Sequence, residues 1–318
     1  MNETKPLIST IRSVVVSVAN LDQSRRLYEE GFGLKCLGEI DEITDELRQF
    51  WNLDKTKLRL AQFGKPGEQF GTLELIEISG GGSSARIRDA ARAFDYGLLS
   101  LNFRTIDIEQ ALIHLEKFDV KPVSKVLTYE AGGKKINEVM AILPTGERVT
   151  ILQIGEKQNN PILFGKPVAT VGAIVDSLET AKHFYCDLLG LSPAVEISHD
   201  GEPFTTLLGV ESSASMKMAL LTASGNWTGK FEFIELNVPN EKPRDTNALI
   251  DDKHTGYRAI SVFCDNLDEL IERFRDSSFS IEGKPVSLVH PFVGATRALM
   301  IDTPSVGRLE ILERRMTS

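Results

Sequence analysis

Among the glutamates in segments that read as β-strands are Glu74 in TLELIEI, Glu232 in KFEFIEL and Glu310 in RLEIL. Turned inward among their aliphatic and aromatic neighbours, these three would be desolvated by folding. A desolvated carboxyl has its pKa raised, and one poised near neutrality can act as general base towards an activated C–H or O–H. Alternation along a strand names the side chains on the same face. Arg308 and Leu312 accompany Glu310, Ile234 and Leu236 accompany Glu232, and Tyr257, Ser261 and Phe263 accompany Ala259. Two readings of Glu310 stay open. It is a base assisted by Glu232 and Tyr257, or it pairs with Arg308 and only holds a strand end.

Other chemistry-bearing residues are less promising. His114, His183, His199, His254 and His290 show no H-x-E-x-H spacing, and each is read as a solvated or hydrogen-bonded imidazole. Cys36, Cys186 and Cys264 are odd in number and scattered, which suits free thiols in a reducing cytoplasm. SGGGSS (79–84) before the helix-like ARIRDAARAF hints at a phosphate cradle. It lacks the following Lys-Ser/Thr and reads as a connector. Trp51 and Trp227 could stack on an aromatic ligand, although Trp51 falls on the apolar face of DELRQFWNL, where core or lid packing serves equally. Net charge is −9 with no basic run, which argues against nucleic acid and anionic membrane as partners. MNETKPLIST does not read as a signal peptide.

The elements that must position these residues occur in repeats. SVANLDQSRRLYEEGFGL (17–34) returns as VDSLETAKHFYCDLLGL (175–191), with Tyr28 and Tyr185 157 residues apart, and Glu74 and Glu232 158 apart. Gly97 and Gly256, and Pro144 and Pro304, continue the echo, so a whole domain is duplicated. Within each half, strand and helix signals run strand–helix–strand–strand–strand twice. Helices are expected after Asn20 and over 108–118 and 267–276, and a short one at 45–53 with a counterpart at 204–209. The chain of 318 residues therefore reads as four βαβββ units.

The motif N/S-L-x-x-S/A-x-x-L/F-Y-x-x-x-x-G-L, the later L-E-L and the P-x-G-x-x-x-E-L type ending resemble the vicinal oxygen chelate superfamily. Its members include glyoxalase I, bleomycin-resistance proteins, fosfomycin-resistance enzymes and extradiol dioxygenases. The resemblance implies an α+β fold of two tandem glyoxalase-like domains with cup-shaped mixed sheets, 1–155 and 167–318, joined by a linker at 156–166. It also implies where relatives hold a divalent metal. Those places are Ser13, Glu74, Ser100 and Thr150 in the first half, and Thr170, Glu232, Ala259 and Glu310 in the second. About three imidazole or carboxylate ligands are needed for an open site. The first set offers one and the second two.

The expectation is accordingly no metal and no cofactor, although Fe, Mn or Zn stays open should the ligands have moved. The second-half cup is expected to bind a small organic molecule, aromatic or oxygenated, and to transform it. Glu310, Glu232 and Tyr257 would be catalytic, with Thr170, Ala259, Ser261, Phe263 and Arg308 lining the wall. The first-half cup, with Ser13, Glu74, Ser100 and Thr150, is expected to be degenerate. A non-catalytic sequestering protein and a metal-dependent lyase or dioxygenase are the alternatives. A monomer and a homodimer fit equally well.

Overall fold

A computed structural model describes residues 6–53, 57–78, 85–158, 160, 162–223, 228–275, 277–279, 281 and 283–314. The four units are present. Unit one holds β1 (Ile8–Val18), α1 (Leu21–Arg26), β2 (Lys35–Ile40), α2 (Asp45–Phe50), β3 (Leu58–Gly64) and β4 (Thr72–Ile78). Unit two holds β5 (Gly97–Thr105), α3 (Ile108–Glu116), β6 (Lys121–Pro122), β7 (Leu127–Ala131), β8 (Lys134–Ile142) and β9 (Arg148–Ile154). Unit three holds β10 (Thr170–Val175), α4 (Leu178–Lys182), β11 (Ser192–Asp200), α5 (Phe204–Leu208), β12 (Ser215–Thr222) and β13 (Lys230–Asn237). Unit four holds β14 (Gly256–Cys264), α6 (Leu267–Arg275), β15 (Val286–His290), β16 (Gly294–Thr303) and β17 (Gly307–Glu313).

Each unit turns from its first strand into its helix by the same device. Asn20, Asp107, Ser177 and Asn266 accept the backbone N–H groups of Gln23, Gln110, Thr180 and Glu269, satisfying donors a helix start leaves free. ARIRDAARAF does not form a helix. Arg88 inside it donates to the carbonyls of Arg92, Gly97 and Leu98, and Arg86 bridges to Thr255 instead, as Tyr96 just beyond the segment does to Asp245. SGGGSS and Trp227 lie outside the described residues. No helix among the described residues is long and apolar enough to cross a membrane.

The pairing of units departs from expectation. One sheet runs β15-β16-β17-β14-β1-β4-β3-β2, and the other β11-β12-β13-β10-β5-β9-β8-β6 with β7 on β8. Unit one thus shares a sheet with unit four, and unit two with unit three. β1 lies antiparallel to β14, and β10 antiparallel to β5. The segment 156–166 joins two strands of one sheet. Duplicated units present equivalent first strands, so consecutive and crossed pairing satisfy the same ladder hydrogen bonds, and local sequence does not choose between them.

Alternation along β1 sorts the layers. Val14 and Val16 enter a core common to all four units, with Tyr28, Phe103, Tyr185 and Phe231. Val15 faces the concavity of the first sheet, with Leu47, Trp51 and Ala259. A separate apolar cluster including Met140, Leu207 and Ile234 fills the concavity of the second.

Two equivalent glycines bring the sheets together. Ile11 N–H donates to Gly229 O and Gly71 N–H to Ile11 O, while Val168 N–H donates to Gly71 O and Gly229 N–H to Val168 O. Gly71 and Gly229 have φ +70° and +67°, and a Cβ on either would come within 2.4 Å of a carbonyl oxygen, that of Val168 or Ile11. Gly229→Ala should therefore lose about 2–3 kcal/mol of stability in chemical denaturation. Gly67→Ala is the control, because φ is +84° there with no atom within 4 Å of the new Cβ. It should lose only roughly 1 kcal/mol. Equal losses would mean that the close approach is unimportant.

Candidate active site in the cup of units one and four

Crossed pairing redistributes the residues singled out above. Glu74 and Glu310 come together in the first sheet, with Ser13 and Ser261 facing each other across β1 and β14. All four side chains are fully buried. Glu232 lies in the other sheet with Ser100, Thr150 and Thr170, so it cannot assist Glu310. Tyr257 does not join either. Val15 opposes Ala259 while the next residue, Val16, opposes Tyr257, and this bulge at Arg258 reverses the alternation. Tyr257 thereby enters the common core and donates its hydroxyl to Arg148 O at 2.6 Å. Ala259 stays on the cup wall as packing surface.

Arg308 does not pair with Glu310. Its Nε is 3.9 Å from Asp302, at the edge of a cleft of about 610 Å³ that Phe50, Phe279, Met300 and Pro304 also line. The cation beside Glu310 and Glu74 is Arg12. The ladder between β1 and β14 slips on both sides of Ile11, and Arg12 follows at that irregularity. Its Nη2 lies 2.6 Å from Glu74 Oε1 and 3.7 Å from Glu310 Oε2, and its Nε donates to Ser261 Oγ at 3.1 Å. Phe263 lies 5.9 Å from the guanidinium carbon. Gln62 donates to Glu74 Oε1 at 3.3 Å. Trp51, at the end of α2, closes the cluster and donates its indole N–H to Glu310 Oε1 at 2.8 Å.

His290 completes the group; of the two readings given to it, a solvated or a hydrogen-bonded imidazole, it is the second, accepting the Phe292 N–H at Nδ1. It is fully buried at the end of β15, with Nε2 3.5 Å from Glu74 Oε2 and 4.0 Å from Glu310 Oε1. His114, His183 and His199 make exposed contacts, and His254 is bonded to Asp251. Burial alone would raise the Glu74 carboxyl, but the Arg12 guanidinium, helped by the His290 N–H beside it, holds it well below the usual carboxylate range. Among the described residues, Glu74 Oε2, Glu310 Oε2, His290 Nε2, Ser13 Oγ and Arg12 Nη2 have no partner at hydrogen-bond geometry.

Glu74, His290 and Glu310 offer ligand atoms all within 4.8 Å of one another, which is the number and kind of groups a divalent metal needs. The surroundings do not fit one. Phe292 N–H donates to His290 Nδ1 at 3.3 Å, so the neutral ring carries its proton on Nε2, where a metal would need a lone pair. A metal at Glu74 would also stand close to a permanently charged guanidinium. At an effective dielectric of about 20, a dication about 5 Å from such a charge is repelled by roughly 7 kcal/mol.

The cup of units two and three has a different character. Asn102 donates to Glu232 Oε2 at 2.9 Å, Ser100 donates to Asn102 Oδ1 at 3.1 Å, and Thr150 Oγ1 is 3.5 Å from Ser100 Oγ. Thr170 lies at the strand start, opposite Asn102 and Lys230. Glu138, not singled out from the sequence, accepts the Tyr129 hydroxyl at 2.7 Å. Burial pushes Glu138 up to about 7, opposed by the Tyr129 bond and reinforced by the charge of Glu232. Burial likewise raises Glu232, against the pull of Asn102.

A carboxyl raised in the folded state favours folding fully below its unfolded pKa, and that contribution is lost as pH rises towards the folded value. Glu138 loses it between its ordinary value of 4.5 and about 7. Glu138→Gln should therefore gain about 1–3 kcal/mol on wild type between roughly pH 5 and pH 8, read from denaturation midpoints. A constant difference over that range would exclude the assignment.

Sequence reasoning missed Arg12, Gln62 and His290. Only Arg12 left a trace, as a charge inside the apolar run ISTIRSVVVSV. Gln62 and His290 had no distinguishing context.

The fold has known counterparts. It superposes on glyoxalase I from Zea mays with a TM-score of 0.65 at 17% identity, over 96% of this chain and 92% of that one. The "putative dioxygenase" of Bacillus subtilis matches with a TM-score of 0.60 at 12% identity, over 98% and 86%. No curated protein sequence matches significantly. Residues 168–290 match the family model described as Glyoxalase/Bleomycin resistance protein/Dioxygenase superfamily. The chain as a whole thus has the fold of glyoxalase-like proteins, with its four repeated units and curled sheets, and over residues 168–290 its sequence matches the model of that superfamily.

Proposed function

We propose that the cup of units one and four binds a small oxygenated organic molecule and moves a proton to or from it at Glu310 and His290. The observation that carries this reading is the convergence of Glu74 Oε2, Glu310 Oε2 and His290 Nε2, three fully buried polar atoms without hydrogen-bond partners among the described residues. Such a cluster is costly to bury and has no evident structural need, which favours function. The cleft beside it supports the substrate class. Phe50, Phe279, Met300 and Pro304 suit an apolar body, and Asn52 and Arg308 suit an oxygen-bearing end. Met300 lies directly opposite Glu310 in the ladder, so the cleft floor adjoins the cluster. Two structural counterparts bearing enzyme names favour catalysis over storage.

A second reading, a ligand-sequestering protein, is favoured by the seal that Trp51 places over Glu310. The two separate in one experiment. Ligands are found by thermal shift on the wild-type chain, since a binder of the native state raises the melting temperature. Glu310→Gln is then assayed for turnover and affinity. Loss of turnover by about 100-fold or more with affinity nearly kept supports proton transfer. Wild-type binding without turnover supports sequestration. A ligand whose affinity is unaffected by Glu310→Gln, Arg308→Ala and Phe50→Ala together would place the site elsewhere.

A further inference from the structure

We infer that Arg12 is the resident cation of the Glu74–His290–Glu310 cluster, so that the cup works without a bound metal, and that removing its guanidinium creates a divalent-metal site. The inference rests on that cup being the reacting site. Two observations carry it. First, Arg12 Nη2 is the only cationic atom among the described residues that reaches both carboxylates, at 2.6 Å and 3.7 Å. It is anchored from behind by its Nε–H bond to Ser261 and by the Phe263 ring. Arginine does not lose its proton in proteins, so this cation is permanent.

Second, the remaining donors are arranged for a guanidinium and not for an ion. Gln62 and Trp51 take one oxygen of each carboxylate, and Phe292 N–H fixes the His290 proton on the nitrogen facing the cluster. The ligand-type atoms are themselves close enough for an ion: His290 Nε2 is 3.5 Å from Glu74 Oε2 and 4.0 Å from Glu310 Oε1, so it is the guanidinium and the proton on His290 that stand in a metal's way. Without Arg12, two carboxylates and an imidazole would be left with a net charge that a dication balances. The ion would meet no opposing charge, and the vacated volume would admit water as further ligand. A ligand of the native cup is then held by hydrogen bonds to fixed N–H groups, not by chelation.

The test needs no substrate, so its outcome is independent of whether Glu310→Gln loses turnover. Full-length wild type, Arg12→Lys, Arg12→Ala and Arg12→Ala/Glu310→Gln are stripped with chelator and dialysed against Mn²⁺, Ni²⁺ or Zn²⁺. Bound metal is counted by elemental analysis, and melting is followed with and without the ion. Wild type and Arg12→Lys should hold well under about 0.1 equivalent and melt unchanged. Arg12→Ala should hold roughly one equivalent, with a metal-dependent rise in melting temperature that the double variant loses.

Stoichiometric metal in wild type, removed by Glu74→Gln, would overturn the inference. So would a folded Arg12→Ala that gains no metal, or an Arg12→Lys that gains one. If Arg12→Ala folds only when metal is present, the inference stands. If it folds under neither condition, the wild-type and Arg12→Lys counts decide.

Discussion

Glu74→Leu should lower stability by about 3–5 kcal/mol, because it leaves the Arg12 guanidinium buried beside one distant carboxylate. Arg12 and Glu74 are both almost completely inaccessible, and 2.6 Å separates the paired atoms. Breaking a buried pair from one side strands a charge, whereas replacing both sides with apolar groups of similar volume is often tolerated. Arg12→Met/Glu74→Leu should therefore recover most of the loss, with a coupling of roughly 2–3 kcal/mol in a double-mutant cycle. The pH dependence has a definite sign. Because Glu74 is held below its ordinary value, its contribution is full above the unfolded carboxylate pKa and declines as pH falls through the folded one. The gap between wild type and Glu74→Leu should shrink from about pH 5 downwards. Additive single losses, or a gap that widens in acid, would show that the pair is not coupled as drawn.

The second large effect is expected at Trp51. It is only 5% exposed, packs with Leu47 and Leu288, and sets its ring edge-on to His290 at 5.9 Å. Trp51→Ala should lose about 3–5 kcal/mol through the cavity alone. Trp51→Phe separates packing from hydrogen bonding, since it keeps most of the apolar volume and deletes the N–H that serves Glu310 Oε1. Leaving a buried, charged acceptor unsatisfied costs about 1–3 kcal/mol, so the Phe variant should fall between wild type and Ala. Opening the lid should also raise access to the cluster. Ligand association should then be faster in Trp51→Ala than in wild type, measured by stopped-flow with a ligand found by thermal shift. An unchanged rate with equal stability losses in both variants would make Trp51 simple core.

The two effects depend on residues of unequal visibility in the sequence. Glu74 and Glu310 were legible only as the places where the resembled family holds a metal, since Glu77 and Glu313 stand in the same strands. Trp51 was legible as an apolar position of a short helix, although its acceptor was not. Arg12 was not legible, because only the slipped ladder at Ile11 turns its side chain inward. His290 had no local signature, because its importance comes from β15 lying on α2 and β16 across the concavity. Tyr257 was misplaced for a related reason. One bulged residue reverses the facing of a strand, and the sequence around Arg258 does not announce it.

What the sequence by itself determined was local and periodic: four βαβββ units, their helix caps, and carboxylates facing inward at equivalent places. Short-range hydrogen bonds and alternating burial dictate those features, and both are written in neighbouring residues. What only the tertiary structure decided was which unit shares a sheet with which. Repeated units offer interchangeable edges, so that choice lies in the long-range closure of the chain around Gly71 and Gly229. It joined Glu74 to Glu310, separated both from Glu232, and made one charged cluster out of residues from opposite ends of the protein.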